Sequence, residues 1–246
     1  MAEQKGMIKL TGTIDGLNFY YLNGKAVVRK AGGGFNGHAI KTKKSMRPVR
    51  ENASEFGAAS TVKKHYRLAW QPMLGGMKHP KLHGRMMRLF TALKDLDTVH
   101  QRGKRQVAVG VTTPKGAQLL HNFEFTPSCA VWKLLGVPPV LDANAGVLSL
   151  PNLNVCSLSF PKGATHIGLR LGCMHFNFGT LEKELQLSNW SILDTRFGTQ
   201  DLVLEVALPQ LEGLRLFGLQ LQFYERIDDV FYELRSVEAV GLGVVP

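Results

Sequence analysis

The sequence predicts an α+β fold, mainly β, from three observations. Near the N-terminus, Asp15-Gly16 and Asn23-Gly24, dipeptides favoured in two-residue hairpin loops, separate short runs rich in β-branched and aromatic residues. Residues 51–97 carry apolar positions at spacings of three and four. Beyond residue 105 the apolar period changes to two, and turn residues recur at short intervals. The 246 residues therefore divide into a three-stranded meander plus helical hairpin over 1–105, and an all-β domain of sandwich or jelly-roll type over 106–246.

The meander runs are 7–14, 17–22 and 25–30. In the middle run Leu17, Phe19 and Tyr21 share one face, while Asn18, Tyr20 and Leu22 share the other. Two apolar-leaning faces on so small a sheet imply that it packs on the rest of the chain or on another subunit. Residues 31–50 follow, flexible through Gly32, Gly33, Gly34 and Gly37 and basic through Lys41, Lys43, Lys44, Arg47 and Arg50, and read as a mobile basic arm. They are not a phosphate loop, which needs glycine directly before its lysine; here Ile40 precedes Lys41-Thr42.

A first helix fits 51–73 through Phe56, Ala59, Val62, Tyr66, Ala69 and Met73, with Pro72 closing its regular part. A second fits 81–97 through Leu82, Met86, Leu89, Phe90, Leu93 and Leu96, with Arg85, Arg88 and Lys94 outside and Pro80 near its first turn. The basic stretch 100–105 then reads as a linker. In the second half, apolar runs at 106–112, 117–125, 129–135, 147–150, 155–160, 165–174, 185–193, 201–207, 214–224 and 230–240 read as strands. Turn signals separate them, among them Pro114-Lys115-Gly116, the Asp142–Gly146 stretch and Asp228-Asp229. Ile167, Leu169 and Leu171 face one way. Phe217, Leu219, Leu221 and Phe223 form one apolar face, opposite Leu216, Gly218, Gln220 and Gln222, which predicts a strand with core on one side and solvent on the other.

Two segments carry a family resemblance. One holds Lys5, Gly6, Gly12, Thr13, Gly16, Leu17, Phe19, Tyr20, Gly24, Lys25, Val28 and Arg29; the other holds Arg50, Asn52, Glu55, Phe56, Gly57 and Ala59. They resemble a group of uncharacterised, basic bacterial proteins with a KG…GTIxGLxFY…GKxxVR start and a β-rich later half, which the stretch 159–171 also resembles. The resemblance implies architecture and no assigned activity.

Composition narrows the function classes. The length suffices for a core without staples. Three cysteines, Cys129, Cys156 and Cys173, argue against a disulfide framework and a four-cysteine zinc site. Residues 1–10 hold no apolar signal core, and no window reaches the length of a membrane span, so a cytoplasmic protein away from membranes is expected. The net charge of +11 is uneven: 21 basic against 6 acidic residues over 1–105, a net +15, and 9 against 13 over 106–246, a net −4.

No nucleophile elbow, zinc-protease or dinucleotide motif occurs. His79 and His83 lack a third ligand nearby, Cys173 and His175 point the same way on one strand, Cys156 reads as a small core residue, and the Asp142–Gly146 stretch is a turn. No catalytic residue, metal, cofactor or small-molecule substrate is expected. The remaining signal is a polyanion- or partner-binding set, Lys41, Lys43, Lys44, Arg47, Arg50, Lys63, Lys64 and Arg67, with Phe19, Tyr20 and Tyr21 as stacking or interface residues. The expectation is a non-enzymatic structural or interaction protein that docks on an acidic protein surface or forms a homo-oligomer. The alternative is a nucleic-acid-binding protein using the arm and first helix on phosphates.

Overall fold

The computed structural model describes residues 2–32, 36–76, 79, 81–196 and 198–246. The architecture is α+β, mainly β. It forms two compact units, residues 1–50 and 51–246.

The N-terminal unit holds a four-stranded antiparallel sheet of order β1-β4-β3-β2, from β1 (Ala2–Glu3), β2 (Gly12–Ile14), β3 (Leu17–Leu22) and β4 (Lys25–Lys30). The meander β2-β3-β4 turns at the two expected dipeptides, and all four of their residues have positive φ (46°, 73°, 51° and 79°). That is the geometry of a type I′ hairpin turn, whose twist matches the strands. The short strand β1 adds to β4. The segment expected as an arm is helical where it is described: α1 (Gly37–Thr42) starts at Asn36, whose side chain accepts from the His38 N–H at 2.8 Å, and a 3-10 turn (Lys44–Met46) follows. Gly33 and Gly34 lie outside the described residues.

The long helix α2 (Arg47–Ala69) and α3 (Leu82–Asp95) form the expected helical hairpin. Pro80, expected at the second helix start, lies outside the described residues. Three segments expected as strands are short helices instead: α4 (Val107–Val111), α5 (Pro114–His121) and α6 (Val131–Leu135). The Pro114-Lys115-Gly116 signal marks a helix start rather than a turn. Thr113 caps it by accepting from the Gly116 N–H at 3.0 Å, and Pro114 occupies the first helical position, where its missing N–H costs nothing. Short apolar runs do not distinguish a buried strand from a buried helix.

The strands β5 (Val140–Asp142), β6 (Val147–Leu153) and β10 (Gln200–Glu205) make a three-stranded antiparallel sheet of order β10-β6-β5. A six-stranded antiparallel sheet is built on two long central strands, β7 (His166–Phe176) and β11 (Leu214–Ile227), paired from Leu214↔Phe176 to Tyr224↔His166. β8 (Lys183–Leu187) and β9 (Ser191–Asp194) pair with β7, while β12 (Val230–Glu233) and β13 (Val240–Val244) pair with β11. Residues 155–160, expected as a strand, form only a 3-10 turn at Val155–Ser157.

The six-stranded sheet is buried on both faces. Ile167, Leu169, Leu171, Phe217, Leu219, Leu221 and Phe223 pack with Leu148, Leu150 and Leu204 of the smaller sheet, as a sandwich requires. The other face of β11, expected in solvent, is covered: Met174, Phe176, Leu216, Leu242 and Val244 pack against Tyr66, Trp70, Phe90, Leu93 and Phe125. The amphipathic helices bury their stripes here, so they belong to the β-rich unit. The unit boundary accordingly falls between Arg50 and Glu51, whereas charge and composition pointed to residues 105 and 106. Two glycines let the helical layer approach. A β-carbon at Gly218 would lie 2.6 Å from the Trp70 ring, and one at Gly172 would lie 2.4 Å from the Met73 sulfur.

The basic stretch expected as a linker is docked by charge. Glu55, fully buried on α2, accepts from Arg105 Nε (2.8 Å), Arg105 Nη2 (2.7 Å) and the Gly103 N–H (2.7 Å), and sits 2.9 Å from Lys94 Nζ. The Arg105 bonds, above all, with those from Lys94 and Gly103, outweigh burial and hold its carboxyl far below the usual range. Asp97 does the same for the following turn. Burial alone would raise its pKa, but bonds from the Gln106, His100 and Val99 N–H groups and the His100 ring lower it to about 2.

Candidate functional site

The residues expected to meet a partner fall into two groups. On β3, Phe19 and Tyr21 share a face with Leu17, and the register places Ile14, Val28 and Ala26 beside them. Ile14 is 50% exposed, Leu17 42% and Tyr21 55%, so this face presents apolar surface to solvent. Tyr20 lies on the opposite face, where the Arg29 guanidinium sits 5.5 Å from its ring centroid. Lys41 lies in the last turn of α1, and Lys43, Lys44 and Arg47 follow within the corner leading into α2; all four are exposed.

Three of the eight expected cations turn inward. Arg50 donates through Nη1 to the carbonyls of Ile40 and Lys43, closing the corner between α1 and α2. Lys63 is buried, with Nζ 3.0 Å from His83 Nδ1, and desolvation, then the neighbouring Arg67, lowers its pKa. Arg67 is half-buried, and its Nε has no partner among the described residues. Lys64 is exposed. A helical stripe of lysines and arginines reads as solvated in sequence, but here the buried face of α2 passes through Glu55 and Lys63 and leaves Phe56 55% exposed.

Cys129 and Cys173 are buried. Burial pushes the Cys129 thiol up to about 11, and burial, chiefly, pushes Cys173 there too. His175 is hydrogen-bonded to the Leu211 carbonyl and receives Arg215 Nε at 2.8 Å on its other nitrogen. Cys156, expected in the core, is exposed. His79 Nε2 lies 3.0 Å from the Leu74 carbonyl oxygen, and among the described residues no three metal-ligating side chains converge.

A concave site lies away from these residues. The helix-facing side of the six-stranded sheet continues beyond the end of α2, and there it opens as a cleft of about 670 Å³. Arg170, Lys183, Trp190, Gln220, Gln222 and Glu233 line it, with Gly75 and Gly76 at its rim. The Arg170 guanidinium lies 4.5 Å from the Trp190 ring centroid and donates to Gln220 Oε1 from Nε (3.2 Å) and Nη2 (2.7 Å). Desolvation lowers the Arg170 pKa. The one sequence signal was the change from Leu216 and Gly218 to Gln220 and Gln222 along a single strand face. The chain matches no protein family, no curated protein and no solved structure.

Proposed function

We propose that the chain is a non-enzymatic structural or interaction protein whose N-terminal unit docks on an acidic protein surface, of another protein or of a second copy. The observation that carries this reading is the exposed apolar face of Ile14, Leu17 and Tyr21, in a unit that also exposes Lys41, Lys43, Lys44 and Arg47. Exposed apolar surface and exposed charge of one sign in one unit suit docking: burial supplies affinity, and charge supplies orientation and association rate. The raised thiol pKa values of Cys129 and Cys173 accord with a role outside catalysis. Among the described residues no helix is long and apolar enough to cross a membrane. We place the protein in the cytoplasm, where three unpaired cysteines are stable, and in the group of basic bacterial proteins that its opening segment resembles.

Cross-linking of the full chain in extract of its native host tests the reading. Links should run from Lys41, Lys43 and Lys44 to an acidic surface, and should disappear in a Leu17→Ser/Tyr21→Ser variant that stays folded. A monomer with no such links, or links unchanged in that variant, would sink it. The exposed lysines also favour a second reading, phosphate contact. In that case single- or double-stranded nucleic acid binds at low salt and is released steeply as salt rises, with Lys41→Gln/Lys43→Gln/Lys44→Gln reducing the salt dependence.

A further inference from the structure

A polar side-chain atom that faces a cleft and has no protein partner is open to water or to a ligand. The cleft at the end of α2 has three such atoms on adjoining sheet positions. Gln220 is 2% exposed, and its Oε1 is committed to Arg170. That orientation leaves its Nε2 with no acceptor among the described residues. Gln222, also 2% exposed, donates from Nε2 to the carbonyls of Phe223 (2.9 Å) and Leu234 (3.1 Å). Its Oε1 then has no donor among the described residues, and a β-carbon at Gly75, on the rim, would lie 3.8 Å from it. Arg170 pairs across the strands with Gln220, lies over the Trp190 ring and donates from Nη2 to the Pro72 carbonyl (3.4 Å), and its Nη1 has no acceptor among the described residues. No carboxylate among the described residues lies within salt-bridge distance of it.

We propose that this cleft binds a small organic monocarboxylate carrying a hydroxyl or amide N–H beside its carboxylate. The carboxylate is received by Arg170 Nη1 and Gln220 Nε2, and the adjacent O–H or N–H donates to Gln222 Oε1. A planar guanidinium oriented by a neighbour and stacked on an aromatic ring is suited to a planar carboxylate. Among the described residues, Arg170 and Lys183 against Glu233 leave one net positive charge in the lining, which matches a monoanion better than a doubly charged phosphate. Arg170, Gln220 and Gln222 stand on β7 and β11, so little ordering is needed on binding. The site lies wholly in the second unit and is independent of the docking reading.

Calorimetric titration of the full chain with lactate, gluconate and N-acetylglycine tests it, with lactamide, acetate and inorganic phosphate as comparisons. The three substituted carboxylates should bind saturably, lactamide should not, and acetate and phosphate should bind more weakly. Gln222→Glu replaces the Nε2–H donor to the Phe223 and Leu234 carbonyls with a carboxylate set against the ligand, so it should weaken binding about 10- to 100-fold, the range of a charge-assisted hydrogen bond, and should also lower the unfolding midpoint. Should that variant fold poorly, Leu68→Trp, at an exposed rim position, should block the cleft and abolish binding. No saturable heat with any substituted carboxylate would overturn the assignment. So would phosphate or acetate binding as tightly as lactate, or binding that survives both variants.

Discussion

Substituting Glu55 by glutamine removes the buried charge of a cluster and leaves Lys94 and Arg105 with the half-exposed Asp95, 2.5 Å and 2.8 Å away, as their counter-ion. The Glu55 side chain is fully buried, Lys94 nearly so, and Arg105 is mostly covered. Breaking such a pair by removing one partner costs about 3–5 kcal/mol when the remaining charge is left uncompensated; with Asp95 still facing both cations, a loss of about 3 kcal/mol is expected. For a unit of this size each kcal/mol moves the midpoint by roughly 2–4 °C, so Glu55→Gln should lower Tm by about 6–12 °C. The pH dependence carries a second signature. The folded-state pKa of Glu55 lies below its reference value of 4.5, so its contribution is fully present above that value and is lost as pH falls below it towards the folded pKa. The wild-type protein should therefore lose stability on acidification below about pH 4.5 in a part that Glu55→Gln lacks. Circular-dichroism melts of both proteins between neutral and strongly acid pH measure this. A Tm loss under about 2 °C, or an acid limb of the same slope in both proteins, would refute the argument that this carboxylate anchors the 100–105 segment.

Gly218→Ala should cost about 1–3 kcal/mol in urea unfolding, since its methyl meets the rigid Trp70 ring; Gly172→Ala should cost less, because the flexible Met73 side chain gives way. Asp228 and Asp229 form the β11–β12 turn with φ of 47° and 64°, so Asp228→Asn/Asp229→Gly should raise stability by roughly 0.5–1 kcal/mol; a lower denaturation midpoint would contradict the type I′ reading. At mildly alkaline pH an aromatic disulfide reagent should modify Cys156 rapidly and leave Cys129 and Cys173 intact until unfolding, as their raised pKa values require; fast reaction of more than one thiol would count against their burial. Thr113→Ala should cost about 1 kcal/mol of stability through loss of the α5 cap, and no change would remove the cap from the account.

The features legible in the amino-acid order are those set by neighbours in the chain. Asp15-Gly16 and Asn23-Gly24 tolerate positive φ, and the hairpins turn there. Tyr66, Ala69, Met86, Phe90 and Leu93 recur at the helical period, and the hairpin of α2 and α3 follows. Phe217, Leu219, Leu221 and Phe223 alternate, and their face enters the sandwich core. The interaction residues were legible only as composition. Lys41, Lys43 and Lys44 are exposed as a basic run suggests, but Lys63 and Arg50, of the same residue type and spacing, find internal partners.

What only the tertiary structure decided depends on residues far apart in the chain. Glu55 enters the core and Phe56 stays out because Arg105 and Gly103 arrive some fifty positions later to satisfy a carboxylate. The short apolar runs after residue 106 fold as helices that cover the sheet, α4 and α5 on the helix-facing side of β7 and β11 and α6 on the sandwich core. Gln220 and Gln222 looked like the solvent side of a strand; the fold instead buries them beside Arg170 and Trp190 at the edge of the helical layer. Backbone preference and periodicity act over a few residues and are written in the chain. Desolvation acts on whatever the fold brings together, so the placement of buried charge and polar clefts is settled only by packing.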